Sequence, residues 1–268
     1  MNYDELFSKL WIDYTNKNPQ ALKIFESFIA EGETVINDHI AFRTFNLPEV
    51  NIDVMSKAFL AVGFEEKGSY IFEQKKLFAK HFEHPEKPDA PRVFISQLKV
   101  EEFSPFLQTT VKEIIAKIPQ SVLNSKEIIL AGNQWGKPSY EVYQKLREES
   151  EYAAWLYVNG FTVNHFTVSV THLDKLNDIY AVNEFLKNQG YLMNDGAGEV
   201  QGTPEELLEQ SSVKAELQDI EFMEGIYQVP ACYYEFAKRY RDVEGNLYGG
   251  FIAKSADKIF QSTDFYKK

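Results

Sequence analysis

The sequence contains a weak internal repeat in which a histidine occupies the same place in each of two copies. His39 and His165 each open a run of alternating apolar residues, and each run leads into an amphipathic stretch that ends in glycine followed by an aromatic residue. His39 lies 24 residues before Gly63, and His165 lies 25 residues before Gly190. Such a repeat predicts two related modules, each with a histidine on its first strand. The sequence therefore predicts a metal site shared between the modules.

The composition is that of a globular protein and excludes several classes of partner. The 268 residues include 21 Phe and 15 Tyr, which supply far more buriable surface than a disordered chain carries. The net charge of -12 argues against nucleic acid or an anionic membrane surface as a partner. The lone Cys232 excludes an internal disulfide, and the first residues do not resemble a signal peptide. Apolar runs fall short of the roughly 20 residues that span a bilayer. We therefore expect a cytoplasmic protein.

The order of predicted elements indicates an α+β fold built from two βαβββ modules. Two such units can form a curved sheet around a central metal cavity, the vicinal-oxygen-chelate-like arrangement, with added helices outside the modules. Two helices divided near Pro19 are predicted at the start, a crossover helix at 54–62, and a short helical insertion at 204–217. The predicted segments are an N-terminal helical segment (1–31), the first module (32–99), a helical connection (100–159), and the second module with the C-terminal tail (160–268).

Strand alternation predicts three candidate metal ligands facing the cavity. Side chains two and four apart on a strand share a face, so His39 and His165 each share a face with polar residues of their strands. Glu235 interrupts a strand of aromatic and small residues, where a carboxylate is costly unless it is paired or bound to metal. Two histidines and a carboxylate suit non-haem Fe(II) oxygenases, because they leave adjacent coordination positions open. The simpler alternatives are satisfied core histidines and an ion pair between Glu235 and Arg239.

Arg43 lies four residues after His39 on the same predicted strand face. A guanidinium in this place can hold a substrate carboxylate with two parallel hydrogen bonds, within reach of a metal. The structural alternative is that Arg43 pairs with Glu33 or Asp38. His81 and His84 lie three residues apart beside a proline-rich loop, where they are either solvated or metal-binding. A third alternative is that His81 faces the cavity beside the metal site.

The motifs around these residues resemble the DUF1338 family, whose characterised members are 2-oxoadipate dioxygenase/decarboxylases, also called 2-hydroxyglutarate synthases. The similar motifs are DHIAFRT at 38–44, RVFISQL at 92–98, NHFT at 164–167, YEFAKR at 234–239 and KSADKIFQS at 254–262. The resemblance implies a vicinal-oxygen-chelate fold that uses Fe(II) and O₂ to convert a small 2-oxo acid, 2-oxoadipate foremost, to 2-hydroxyglutarate with release of CO₂.

Carried over by motif, the resemblance implies a metal site of His39, His165 and Glu235. Arg43 is the implied catalytic residue that contacts the oxo acid. Lys254 and Ser255 are implied to line the substrate pocket, together with His39 and Arg43.

Two other classes of function remain open at the level of sequence. Two histidines and a glutamate also suit Zn²⁺ or Mn²⁺, so a metal-dependent hydrolase, lyase or isomerase could use the same fold. Paired sheets of this kind also serve as non-enzymatic ligand-binding modules. Dioxygen-dependent release of CO₂ separates the first alternative from the oxygenase. An open, exchangeable metal site argues against the second. The sequence leaves the oligomeric state open.

Overall fold

The computed structural model describes residues 1–196 and 198–252. The helices are α1 (Tyr3–Lys17), α2 (Pro19–Ala30), α3 (Ile52–Met55), α4 (Lys57–Leu60), α5 (Pro105–Ala116), α6 (Gln120–Leu123), α7 (Tyr140–Glu149), α8 (Glu151–Asn159) and α9 (Ile179–Asn188). The strands are β1 (Asn37–Phe45), β2 (Glu65–Phe72), β3 (Leu77–Glu83), β4 (Arg92–Leu98), β5 (Val163–Ser169), β6 (Gln201–Thr203), β7 (Leu208–Ser212), β8 (Leu217–Phe222), β9 (Gly225–Pro230) and β10 (Tyr233–Arg239).

One mixed sheet of eight strands carries the internal repeat. Its strand order is β2-β3-β4-β1-β5-β10-β7-β6, so the two halves mirror each other about the central β1–β5 pair. That pair is antiparallel, whereas β1–β4 and β5–β10 are parallel. In each half, a strand and a crossover helical segment precede three further strands, and β8–β9 form a separate hairpin inserted into the second half. The predicted pair of βαβββ modules is therefore confirmed.

The glycine that closes each repeat ends the crossover segment. Gly63 has φ +100° and Gly190 has φ +89°, a left-handed backbone conformation that glycine adopts without steric cost. The predicted crossover helix at 54–62 is two single turns, α3 and α4, because Ser56 closes the first turn as its C-cap.

The predicted helical insertion at 204–217 is wrong. Residues 208–212 form β7, which pairs with β10, and Leu207 lies in a turn with φ +64°. The local composition is helix-compatible, but the ladder with β10 determines the conformation. This difference matters for function because β7 contributes Gln210 to the buried face of the sheet.

The N-terminal helices cover the outer face of the sheet. Asn2 caps α1, with Glu5 completing a reciprocal capping box, and Pro19 begins α2 as predicted. Tyr14 is fully buried, and its hydroxyl donates to the backbone carbonyl of Tyr233, at the start of β10, at 2.6 Å.

No helix in the described part of the chain combines the length and apolar character needed to cross a membrane.

Glu33, which precedes β1, binds the segment that follows β5 and so links the two modules. Its buried carboxylate accepts hydrogen bonds from the backbone N–H groups of Asp174, Lys175 and Leu176, at 2.7 to 2.9 Å. Burial would raise the pKa of Glu33, but these three donors outweigh it, so the pKa lies below its usual value. The charged form is therefore the one that stabilises the fold.

We expect Glu33→Gln to lower the free energy of unfolding at neutral pH by about 1–3 kcal/mol, because a neutral amide replaces a charged acceptor of three N–H groups. Glu33 has a lowered pKa, so its contribution is present above the unfolded pKa and disappears as the pH falls through the folded pKa. Urea unfolding of wild type and variant should therefore converge on acidification. Glu31→Gln, at an exposed position two residues away, is the control. A difference that persists unchanged at acidic pH would contradict this account.

Candidate metal centre

The three predicted ligands converge in the middle of the sheet. The Nε2 atoms of His39 and His165 lie 3.4 Å apart. Glu235 places Oε1 3.3 Å from Nε2 of His39 and Oε2 3.5 Å from Nε2 of His165. The exposed fractions are 2%, 5% and 1% for His39, His165 and Glu235, respectively. The repeat therefore brings two imidazoles and a carboxylate together away from bulk water.

This spacing fits a single divalent ion. Ligand atoms about 2.1 Å from one ion lie roughly 3.0–3.4 Å apart at octahedral to tetrahedral angles. The observed separations of 3.3 to 3.5 Å lie at the upper end of that range or about 0.1 Å beyond it. Within the described residues, His39, His165 and Glu235 are the group whose ligand atoms meet closely enough to hold a metal. They form a metal-binding triad.

A β-bulge before each histidine orients its ring. The register of the β1–β5 ladder shifts at Asp38 on one strand and at Asn164 on the other. These extra residues turn their side chains toward the next residue: Oδ1 of Asp38 lies 2.8 Å from Nδ1 of His39, and Oδ1 of Asn164 lies 3.0 Å from Nδ1 of His165. An acceptor at Nδ1 leaves Nε2 as the lone-pair donor to the centre. Bulges re-aim side chains next to functional sites in this way.

The electrostatics of the triad set one histidine apart from the other. The pKa of His165 is lowered to about 3, because burial, together with the nearby His39 and Arg43, lowers it by more than Glu235 raises it. Burial also opposes charge on His39, but hydrogen bonds to Asp38 and Glu235 raise its pKa. Burial would raise the pKa of Glu235, but the two histidines and Gln210 bring it below its usual value. Glu235 is therefore an anion beside a neutral His165, as a metal site requires.

The mirrored position in the first module carries no fourth ligand. Thr167 on β5 lies opposite Glu235 on β10, and the corresponding Ala41 on β1 lies opposite Phe94 on β4. The register thus places a phenyl ring where a second carboxylate would stand. Three protein ligands beside an apolar wall leave coordination positions for other molecules.

Phe251 closes the same side of the centre. Its ring centroid lies 4.9 Å from those of both His39 and Phe94, and its exposed fraction is 7%. His81 faces this region: its ring lies 5.5 Å from Phe251, Nδ1 lies 2.9 Å from the Tyr70 hydroxyl, and the residue is buried. The expectation of a solvated His81 is therefore wrong, since the residue is buried against Phe251. Lys254 and Ser255 lie outside the described residues.

Arg239 belongs to a network behind His39. Its guanidinium donates to both carboxylate oxygens of Asp38, at 2.6 and 2.9 Å, and to the carbonyls of Tyr248 and Gly250, at 3.0 and 2.7 Å. Arg239 thus fixes the carboxylate that orients His39. The ion pair of Arg239 is therefore with Asp38, and not with Glu235 as the sequence alternative had it.

Arg43 lies beyond the triad on the same face of β1. Its guanidinium carbon is 5.0 Å from the ring centroids of both Tyr152 and Trp155, and Nη1 is 3.3 Å from Oε1 of Glu151. The two acids considered as partners are engaged elsewhere: Glu33 caps 174–176, and Asp38 binds Arg239. Aromatic rings on the guanidinium stabilise its charge and limit its rotation.

Sequence analysis did not identify several residues that contact the metal ligands or Arg43. Asp38 and Asn164 carried a usable signal, since an Asx residue precedes the histidine in both copies of the repeat. Gln210, which donates from Nε2 to Oε1 of Glu235 at 2.6 Å, fell in the segment predicted as helical. The Glu151 contact crosses 108 residues of sequence and left no local pattern.

We expect Asn164→Ala to weaken divalent-metal binding by about 10- to 100-fold, because the acceptor that orients His165 is removed. Asn164→Asp retains an acceptor, as Asp38 does in the first copy, and should keep most of the affinity. Anaerobic metal titration checks both variants. Equal affinity in wild type and Asn164→Ala would show that Asn164 does not orient the ligand.

Comparison with known proteins agrees with the predicted motifs. A model of the 2-oxoadipate dioxygenase/decarboxylase family matches residues 5–245. The chain is 34% identical to the 2-oxoadipate dioxygenase/decarboxylase of Oryza sativa subsp. japonica, covering 93% of this chain and 75% of that protein.

Two solved structures share the fold over almost the whole chain. Hydroxyglutarate synthase from Oryza sativa, in complex with 2-oxoadipate, is 31% identical with TM-score 0.90, covering 97% of this chain and 91% of that one. A provisionally named hydrolase from Shewanella frigidimarina is 46% identical with TM-score 0.88, covering 93% of this chain and 97% of that one.

Proposed function

Because this chain belongs to the 2-oxoadipate dioxygenase/decarboxylase family, we propose that it oxidatively decarboxylates a small 2-oxo acid, with 2-oxoadipate the leading substrate. The balanced reaction is 2-oxoadipate plus O₂ giving 2-hydroxyglutarate plus CO₂. The observation that carries the proposal is the buried triad of His39, His165 and Glu235, with Arg43 on the same strand face as His39.

We propose Fe(II) as the metal, held by His39, His165 and Glu235. Two imidazoles and one carboxylate form the donor set of non-haem Fe(II) oxygenases. The apolar position of Phe94, where the mirrored module would offer a fourth ligand, supports this assignment. Fe(II) bound there supplies the redox chemistry that O₂ requires and a place for the 2-oxo acid to chelate.

The chain's own residues bind, orient and shield the substrate in this proposal. Arg43 holds a substrate carboxylate, with its guanidinium in contact with the rings of Tyr152 and Trp155. Phe94 and Phe251 keep water from the side of the centre next to His39. Lys254 and Ser255 remain proposed pocket residues.

The domain limits predicted from the sequence, 1–31, 32–99, 100–159 and 160–268, remain part of the proposal. So does a reducing, cytoplasmic compartment. The single cysteine, Cys232, supports the compartment, since the chain offers no pair that could form an internal disulfide.

A hydrolase is the second candidate, because the relative from Shewanella frigidimarina carries that provisional name and the donor set also suits Zn²⁺. The test is metal analysis of anaerobically purified protein, followed by oxygen-electrode measurements with a series of 2-oxo acids after loading with Fe(II), Zn(II) or Mn(II). We expect O₂ uptake with Fe(II) and 2-oxoadipate. Uptake with a different 2-oxo acid would reject the substrate. The absence of uptake at full iron occupancy would reject the oxygenase function.

A further inference from the structure

Arg43 already has a carboxylate beside it in the structure. Oε1 of Glu151 lies 3.3 Å from its Nη1, and the side chain of Arg43 is only 1% exposed. A guanidinium at this depth requires a counter-charge. The carboxylate of Glu151 supplies this counter-charge. It therefore occupies the same guanidinium that we propose to bind the substrate carboxylate.

Glu151 lies between this buried guanidinium and open solvent. Its side chain is 20% exposed and lines a cavity of about 550 Å³, together with Tyr152. The same cavity is lined by three basic residues and, besides Glu151, three acidic ones: Lys75, Lys76, Arg147, Glu102, Glu148 and Glu149. These charges balance, so the cavity offers the carboxylate of Glu151 hydrated space without net repulsion.

The position of Glu151 at the start of its helix stabilises its carboxylate whether the side chain contacts Arg43 or turns into the cavity. Glu151 is the first residue of α8, and the preceding Ser150 caps that helix through its side chain. A carboxylate in the first helical turn interacts favourably with the helix dipole. A rotation about the side-chain bonds of Glu151 would keep that interaction while releasing Arg43.

We infer that Glu151 competes with the substrate carboxylate for Arg43. In the free protein Glu151 neutralises the guanidinium, and it turns into the cavity when a substrate carboxylate takes its place. This inference rests on the proposed role of Arg43 in binding substrate. Any ligand that uses Arg43 must displace Glu151, so its affinity is reduced, whereas a ligand that does not reach Arg43 is unaffected. Glu151 is therefore a residue that determines specificity.

The test is Glu151→Gln, which keeps the side-chain shape and removes the charge. Titration of 2-oxoadipate into the Fe(II)-loaded protein without O₂ measures binding apart from turnover. We expect Kd to fall about two- to fivefold, the effect of losing one partly exposed ion pair. KM should fall with it. Glu148→Gln is the matched control, because Glu148 is exposed and lines the same cavity; its Kd should equal that of wild type.

A second variant keeps the inference testable if Glu151→Gln does not fold. Glu151→Asp keeps the charge on a side chain one methylene shorter, which lengthens the contact with Arg43, and should lower Kd by a smaller factor. An unchanged or increased Kd in the folded variants would overturn the inference. If wild type turns over 2-oxoadipate and the variants bind no better, only the competition is wrong. If no 2-oxo acid binds wild type or variant, the competition and the proposed function both fail.

Discussion

Glu235→Gln is expected to abolish stable metal binding and to reduce turnover of the 2-oxo acid by on the order of 1,000-fold or more, at least about 4 kcal/mol in the activation barrier. The carboxylate supplies the negative charge of the triad, and both of its oxygens face imidazole nitrogens. An amide has neither the charge nor a second ligand oxygen. Metal content by elemental analysis and O₂ uptake measure the two effects.

The control for this variant is Glu209→Gln. Glu209 is also a buried carboxylate, on the neighbouring strand β7, but it accepts a hydrogen bond from the Tyr240 hydroxyl. It should keep full metal stoichiometry. A Glu235→Gln protein that retains one tightly bound metal and normal turnover would remove Glu235 from the site.

Arg43→Lys is expected to retain stoichiometric metal while turnover falls by about 100-fold, because an ammonium replaces a fixed pair of donors and the substrate loses its orientation. Loss should appear in kcat/KM for 2-oxoadipate, measured by O₂ uptake. Since Lys is shorter, it also loses the contact with both Tyr152 and Trp155 that positions the guanidinium.

Arg241→Lys is the control for Arg43→Lys, because Arg241 is exposed and contacts the carbonyl of Gly245. It should match wild type. If Arg43→Lys instead loses its metal or unfolds, Arg43 has a structural role and its assignment to the substrate is wrong.

The sequence was sufficient to predict the metal ligands and the modules, because the motif is repeated and the strands alternate regularly. His39 and His165 were found because the same motif begins both modules, and the alternation of β1 and β5 placed them on one face. Glu235 was recognisable because a carboxylate stands in a strand that is otherwise apolar or small. The order of elements followed from the repeat, since each copy contributes a strand, a crossover segment and three further strands.

The sequence was insufficient where long-range pairing decides the outcome. Residues 204–217 have a composition compatible with a helix, but part of that segment joins β10 as strand β7. The contact from Asp38 to Arg239 spans 201 residues, and neither residue indicates the other by spacing. Glu151 is one acid among many on a predicted helix, and only the packing of α8 against β1 brings it to Arg43.

The most direct test of the account is the fate of the two oxygen atoms of O₂. Anaerobic protein reconstituted with Fe(II) is mixed with 2-oxoadipate and ¹⁸O₂, and the products are examined by mass spectrometry. The balanced reaction predicts one CO₂ per O₂, with both labelled atoms in 2-hydroxyglutarate, one in the new carboxylate and one in the hydroxyl, and none in CO₂. Consumption of 2-oxoadipate without O₂ uptake, or an unlabelled product, would contradict the assignment of this protein as an oxidative decarboxylase.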